Sequence, residues 1–213
     1  MQLFQTISPA DNLVYCERYY TQDDELSGVL ERARSAQALW KTSKLSERIE
    51  ICERFLLYFE LHADEIAMEL SMQMGRPKSQ AKNELVGMAD RARYMMSIAE
   101  RSLAPINIED STEFTRYIQR DPLGVVFVIA PWNYPYNTSV NSIVPSLLAG
   151  NCVILKHSSQ TPLCAEQLYK AARSSGFPGG VFQYLHLDHQ STSKIIKDNR
   201  IDHVLFTGSV SGG

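Results

Sequence analysis

The sequence predicts an α/β protein in which a helical N-terminal region precedes a parallel sheet. Two observations carry this. Apolar residues recur at helical spacing through most of the first hundred residues, and from Val125 short apolar runs alternate with helical stretches. The first such run, Val125-Val126-Phe127-Val128-Ile129-Ala130, is apolar throughout, as a strand buried on both faces requires.

The elements follow in order. Thr21 with Asp24 has the form of a capping box, and Leu26, Val29, Leu30, Ala33, Gln37 and Trp40 then share a helical face with one polar member. Ser46 is placed to cap a second helix, where Ile49, Cys52, Phe55, Leu56 and Phe59 align. A third runs from Ala63 to Met74 and is broken by Gly75 and Pro77. A fourth covers Gln80 to Ala99. Residues 105–111 read as a loop. The β-favouring Phe114, Thr115, Tyr117 and Ile118, followed by the turn Asp121-Pro122-Leu123-Gly124, read as an exposed strand or hairpin arm.

Strands are then expected at 125–130, 152–156, 181–185 and 203–206, with helices at 138–149, 162–175 and 190–198. Gly150 and Gly176 stand where helices end. Strands alternating with helices of this length imply a parallel, right-handed sheet.

Composition narrows the function. With 213 residues, 44% hydrophobic and 21% charged, the chain has the make-up of an ordinary globular protein. A net charge of -3 argues against nucleic acid or an anionic membrane as partner, and no apolar stretch approaches a membrane span. Met1 to Gln5 lacks the basic and apolar regions of a secretory signal, so cytoplasmic location is expected and Asn137-Thr138-Ser139 is not expected to carry sugar. Cys16, Cys52, Cys152 and Cys164 have no paired spacing and read as reduced and structural. His186, Asp188 and His189 cluster without a fourth ligand. No metal is expected, and Asp188 reads as a helix cap.

Candidate chemistry gathers at the ends of strands, where open parallel sheets bind ligands. Pro131-Trp132-Asn133-Tyr134-Pro135 follows the first strand directly. The Asn133 amide could donate to a developing oxyanion or could stabilise a turn, and the residues alone leave both readings open. Trp132, Tyr134 and Tyr136 could line a pocket or fill a loop. Lys156 ends the second strand, as a solvated terminus or as a ligand-binding group. A G-x-G-x-x-G dinucleotide fingerprint does not follow the first strand. The glycine-rich turn is Phe206-Thr207-Gly208-Ser209-Val210-Ser211-Gly212-Gly213, with Gly208 and Gly213 spaced G-x-x-x-x-G. Such a turn could offer backbone N–H groups to a phosphate, although many strand-to-helix turns hold two glycines.

Taken together, Pro131-Trp132-Asn133-Tyr134-Pro135, Leu148-Ala149-Gly150-Asn151 leading to Lys156, Gly176-Phe177-Pro178 and Phe206-Thr207-Gly208-Ser209-Val210 resemble the NAD(P)-dependent aldehyde dehydrogenase superfamily. The resemblance runs from Ile7-Ser8-Pro9-Ala10 to the final glycines. It implies a truncated aldehyde dehydrogenase fold. Residues 1–111 would be the helical part of a cofactor-binding domain, 112–124 an oligomerisation hairpin arm, and 125–213 an incomplete Rossmann-like dinucleotide-binding core. It further implies a small aldehyde substrate, oxidation to a carboxylic acid with NAD or NADP, and a homo-oligomer.

Residue by residue, Asn133 would donate to the thiohemiacetal oxyanion, and Ile129, Ala130, Pro131 and Trp132 would line the nicotinamide-ribose side. Lys156 would bond the adenosine ribose. Gly208 and Ser209 would meet the pyrophosphate in the turn that Gly213 closes. Ser159 stands where the family commonly has a glutamate for the ribose 2′-hydroxyl; a serine removes a charge that would repel a 2′-phosphate and so admits NADP. His157 replaces the family's usual proline. The Lys156-His157 pair, with Ile195-Ile196-Lys197-Asp198-Asn199-Arg200-Ile201, is similar to the succinate-semialdehyde dehydrogenase branch.

The family's catalytic cysteine and general-base glutamate fall beyond Gly213, so the 213-residue chain is expected to be inactive alone. The alternative readings are a non-catalytic dinucleotide-binding fragment and an interaction module that pairs through the 112–124 arm and the cut edge of the sheet.

Overall fold

A computed structural model describes residues 2–108 and 113–213. The chain opens on two antiparallel strands, β1 (Leu3–Ile7) and β2 (Val14–Tyr19), where no strand was expected. Phe4 and Thr6 turn inward from β1 while Leu3, Gln5 and Ile7 face out, the period of a half-buried strand. Gln5 and Thr6 interrupt the apolar pattern and hide that period.

Four helices follow as expected: α1 (Asp23–Trp40), α2 (Leu45–Leu61), α3 (Ala63–Met74) and α4 (Lys78–Leu103). Their caps differ from the sequence reading. Gln22, not Thr21, precedes α1, and Glu25 Oε2 accepts from the Gln22 N–H at 3.1 Å. The Thr21 N–H is drawn away to the His186 carbonyl at 2.8 Å. Lys44, not Ser46, precedes α2, and Glu47 Oε2 accepts from its N–H at 3.2 Å, which leaves Ser46 inside the first turn.

Residues expected to be loop include a short strand. β3 (Ile106–Asn107) pairs antiparallel with β4 (Tyr117–Ile118), so the exposed arm begins before residue 112. Residues 109–112, including the first residue of the expected arm, lie outside the described ones.

The second half alternates as the sequence implies: β5 (Val125–Ile129), α5 (Pro135–Leu148), β6 (Cys152–Lys156), α6 (Pro162–Ser175), β7 (Phe182–Leu185), α7 (His189–Ile196) and β8 (His203–Phe206). Proline opens both α5 and α6, where its missing N–H costs nothing. Gly176 ends α6 in the left-handed conformation, at φ 93°.

The sheet order is β7-β6-β5-β8, and every pair is parallel. That is the order of the first four strands of a doubly wound sheet, with the chain reversing direction across the sheet between β5 and β8. Strand pleating divides the core. Val126, Val128 and Ala130 pack with α2, α4, α5 and α6, whereas Val125, Phe127 and Ile129 pack with α1 and Ile195 of α7. β5 is therefore covered on both faces, which its unbroken apolar run requires.

Candidate cofactor and oxyanion site at the sheet edge

Register brings the expected residues to one edge. Ile129 at the end of β5 is paired with Lys156 of β6 on one side and Phe206 of β8 on the other. The ladder continues one step further: the Ala130 N–H donates to the Lys156 carbonyl at 3.0 Å, and the Thr207 N–H to the Ile129 carbonyl at 3.1 Å. The 131–135 segment and the Gly208 turn thus leave the sheet at the switch point between β5 and β8, and Lys156 stands at the end of β6 on the other side of β5.

The segment carrying Asn133 is held by main-chain contacts. Arg76, between α3 and α4, donates through Nη2 to the Asn133 carbonyl, and its guanidinium lies 4.4 Å from the centre of the Tyr134 ring. Through Nη1, Arg76 also pairs with Glu84 of α4. The other Glu84 oxygen accepts from the N–H groups of Tyr136 at 2.9 Å and Asn137 at 3.1 Å, the free donors of the first turn of α5. Burial pushes the Glu84 carboxyl above its ordinary pKa, against the pull of the Asn137 N–H, Arg76 and the Tyr136 N–H. The Asn133 side chain is exposed and makes no hydrogen bond to a described residue, so the turn is not built on it. Trp132 and Tyr134 are exposed, whereas Tyr136 is buried among the α2 and α4 side chains.

Lys156 is not a solvated terminus. It is partly buried, forms no ion pair among the described residues, and desolvation lowers its pKa. His157 beside it is fully buried. Its Nδ1 accepts from the Ser158 N–H and the Thr161 hydroxyl, each at 3.0 Å, which leaves the proton on Nε2, 3.5 Å from the Pro135 carbonyl. Desolvation drives this imidazole down to about pKa 4, so it is neutral. A proline there could make none of these bonds.

Ser159 is exposed, and its carbonyl accepts from the Thr6 hydroxyl at 2.9 Å, so β1 fixes the loop after β6. The glycine turn is a single 3-10 turn, Val210–Gly212, with all of Gly208 to Gly213 exposed. A Cβ on Gly208 would stand 2.5 Å from the Phe206 ring, so a larger residue would displace the ring that the turn folds over. Among the other expected groups, Asp188 caps α7 by accepting from the Ser191 N–H at 2.7 Å, and His186 Nε2 bonds Glu166 at 3.1 Å.

None of the four cysteines is poised as a nucleophile. Burial raises the thiol pKa of Cys52 and Cys152 to about 12 and that of Cys164 well above its ordinary value; Cys16 is raised as well, burial outweighing the Thr6 hydrogen bond and the Arg18 charge.

Sequence reasoning missed Arg76, Glu84 and Gln73. Gln73 of α3 caps α6 as Glu84 caps α5, its Oε1 accepting from the Leu163 N–H at 2.9 Å. The signal was present: Glu84 interrupts the buried stripe Ala81, Leu85, Met88, Ala92, and Gln73 extends the stripe Ile66, Leu70.

A doubly wound α/β half with ligand-binding candidates at its switch point defines the class. Residues 1–213 match the aldehyde dehydrogenase family, and the chain belongs to that family. An aldehyde dehydrogenase of Paenarthrobacter nicotinovorans is 34% identical over 193 residues, covering 89% of this chain and 42% of the relative. The NADP-dependent succinate-semialdehyde dehydrogenase 1 of Mycobacterium bovis is 31% identical over 210 residues, covering 98% of this chain and 46% of its own length. The succinic semialdehyde dehydrogenase of Streptococcus pyogenes, solved with NADP+, superposes with a TM-score of 0.88 at 27% identity over 94% of this chain and 44% of its own. The chain therefore spans less than half the length of the relatives it matches.

Proposed function

We propose that these residues form the cofactor side of an NAD(P)-dependent aldehyde dehydrogenase that oxidises an aldehyde to a carboxylic acid. The observation that carries this is the register of Ile129, Lys156 and Phe206 at one sheet edge. The semialdehyde dehydrogenases among the relatives support an acid semialdehyde as substrate.

The residues present fit a dinucleotide. Lys156 is a desolvated cation with no ion pair among the described residues, able to donate to ribose hydroxyls. The turn of Gly208, with Ser209 beside it and Gly213 closing it, would offer its backbone N–H groups to the pyrophosphate. Ile129, Ala130, Pro131 and Trp132 would flank the nicotinamide ribose, and the Ser159 hydroxyl leaves room for a 2′-phosphate. When bound, the cofactor supplies a hydride acceptor.

Asn133 Nδ2 would donate to the oxyanion that forms when a thiolate adds to the aldehyde carbonyl. Such a donor favours the transition state over the uncharged substrate, by about 3 kcal/mol for one well-placed group. The thiolate is supplied from outside these residues, because Cys16, Cys52, Cys152 and Cys164 all have raised pKa values. Accordingly the chain alone binds cofactor without turnover. The β3–β4 arm, with Ile106, Ile108, Phe114, Tyr117 and Ile118 exposed, would serve association between copies.

Calorimetric titration with NAD and NADP tests the reading. Saturable heat from at least one supports it. No heat from either, or an aldehyde-dependent rise in NAD(P)H absorbance from this chain, overturns it.

A further inference from the structure

We infer that Arg76, anchored by Glu84, is the positioning residue for Asn133. The inference rests on the proposed role of Asn133 and adds the group that sets its orientation. Asn133 lies between two aromatic residues, both exposed, and its side chain has no described partner. Its orientation must therefore come from its main chain. The only described side chain bonded to that main chain is Arg76, at the Asn133 carbonyl.

Arg76 is itself immobilised. Its side chain is 10% exposed, its second terminal nitrogen is paired with Glu84, and the Tyr134 ring covers its guanidinium. The planar guanidinium can satisfy a carboxylate and a carbonyl at once, which a point charge on a lysine does less well. Glu84 completes the device, because it also holds the Tyr136 and Asn137 N–H groups. One carboxylate thus fixes both the start of α5 and the arginine that grips the loop before it. The loop is clamped from α4, whereas the reacting groups stand at the sheet edge.

Hydrogen exchange and Trp132 fluorescence in the 213-residue chain test this. Of the two tryptophans, Trp40 is 3% exposed and Trp132 is 51%, so collisional quenching reports mainly on Trp132. Losing a charge-assisted bond should speed exchange at residues 136–138, whose N–H groups are hydrogen-bonded, about tenfold in Arg76→Met. Trp132 anisotropy should fall, while amides of α2 keep their wild-type rates. Arg76→Lys should recover part of the protection. Glu84→Gln, which keeps an acceptor for Tyr136 and Asn137 but loses the carboxylate charge that faces Arg76, should lower Trp132 anisotropy with a smaller acceleration at 136–138.

Exchange at 136–138 and Trp132 anisotropy both unchanged in Arg76→Met would overturn the inference, as would equal acceleration in α2, which marks general destabilisation. If Arg76→Met does not fold, Glu84→Gln decides by the same criterion. Titration of the unmutated chain with NAD and with NADP keeps the two ideas apart. Absent heat from both removes the cofactor reading, and the exchange pattern still judges Arg76.

Discussion

Arg18 grips Glu166 through two nitrogens, Nε to Oε1 at 2.6 Å and Nη2 to Oε2 at 2.9 Å. The pair joins β2 to α6, and His186 after β7 adds a third donor to the same carboxylate at 3.1 Å. Three segments distant in sequence meet at one side chain. The hairpin it anchors also carries Thr6, which holds the loop of Ser159, so the contact reaches the sheet edge.

Arg18→Met is expected to destabilise the fold by about 2 kcal/mol, the size of a partly buried charge-assisted pair, and to expose the β1–β2 hairpin to protease first. Urea unfolding and limited proteolysis measure the two effects. Burial alone would raise the Glu166 pKa, but His186 and Arg18 pull it down to about 2. The unfolded carboxyl takes up its proton first as pH falls. This stabilisation is therefore complete above about pH 4.5 and is lost as pH falls toward 2.

His157 gives a second acid-sensitive step at higher pH. Its neutral ring is buried with Nδ1 already accepting, and its pKa lies near 4 against an ordinary 6.5. Above pH 6.5 both folded and unfolded states leave it unprotonated. As pH falls from 6.5 to 4 the unfolded state gains a proton that the folded state refuses, and stability drops by about 3 kcal/mol. His157→Gln should flatten that part of the stability–pH curve, measured by urea midpoints at pH 7, 5.5 and 4.5. An unchanged slope would remove His157 as the cause.

Asn133→Ala separates the two roles open to this residue. Its side chain is exposed and bonds no described residue, so truncation should change stability by less than about 0.5 kcal/mol. A loss of 1 kcal/mol or more would mean that the amide supports the turn after all. NADP affinity should also survive the change, because the proposed role of the amide is toward the reacting oxygen.

The crossover half was legible because buried strands and proline-opened helices leave local marks. β5 lies within a run of six apolar residues that ends at Ala130, and Pro135 and Pro162 mark where α5 and α6 begin. The hairpin β1–β2 was not legible. It is short and half exposed, with Gln5 and Thr6 inside the pattern, and besides Tyr20 the partners of Phe4 and Thr6, His186 and Ser159, lie more than a hundred positions away. Arg76 looked like part of a helix break between Gly75 and Pro77, since nothing local marks a guanidinium that reaches Asn133. Glu84 was the legible clue. A carboxylate in an apolar stripe needs partners, and these proved to be Arg76 and the start of α5.

Ser159 and Lys156 bear on the choice of cofactor, and two substitutions probe it. Ser159 is exposed and its carbonyl, not its hydroxyl, holds Thr6, so Ser159→Glu should leave stability within about 0.5 kcal/mol of the original. The added charge would repel a 2′-phosphate and accept from a 2′-hydroxyl. NADP affinity should fall by about tenfold or more while NAD affinity holds or rises. Lys156→Met should weaken both cofactors alike, by about tenfold, through the lost bond to the shared ribose. Calorimetry with both nucleotides on both variants reads the pattern. Equal loss of NAD and NADP in Ser159→Glu would show that residue 159 does not face the 2′ position, whatever Lys156 does.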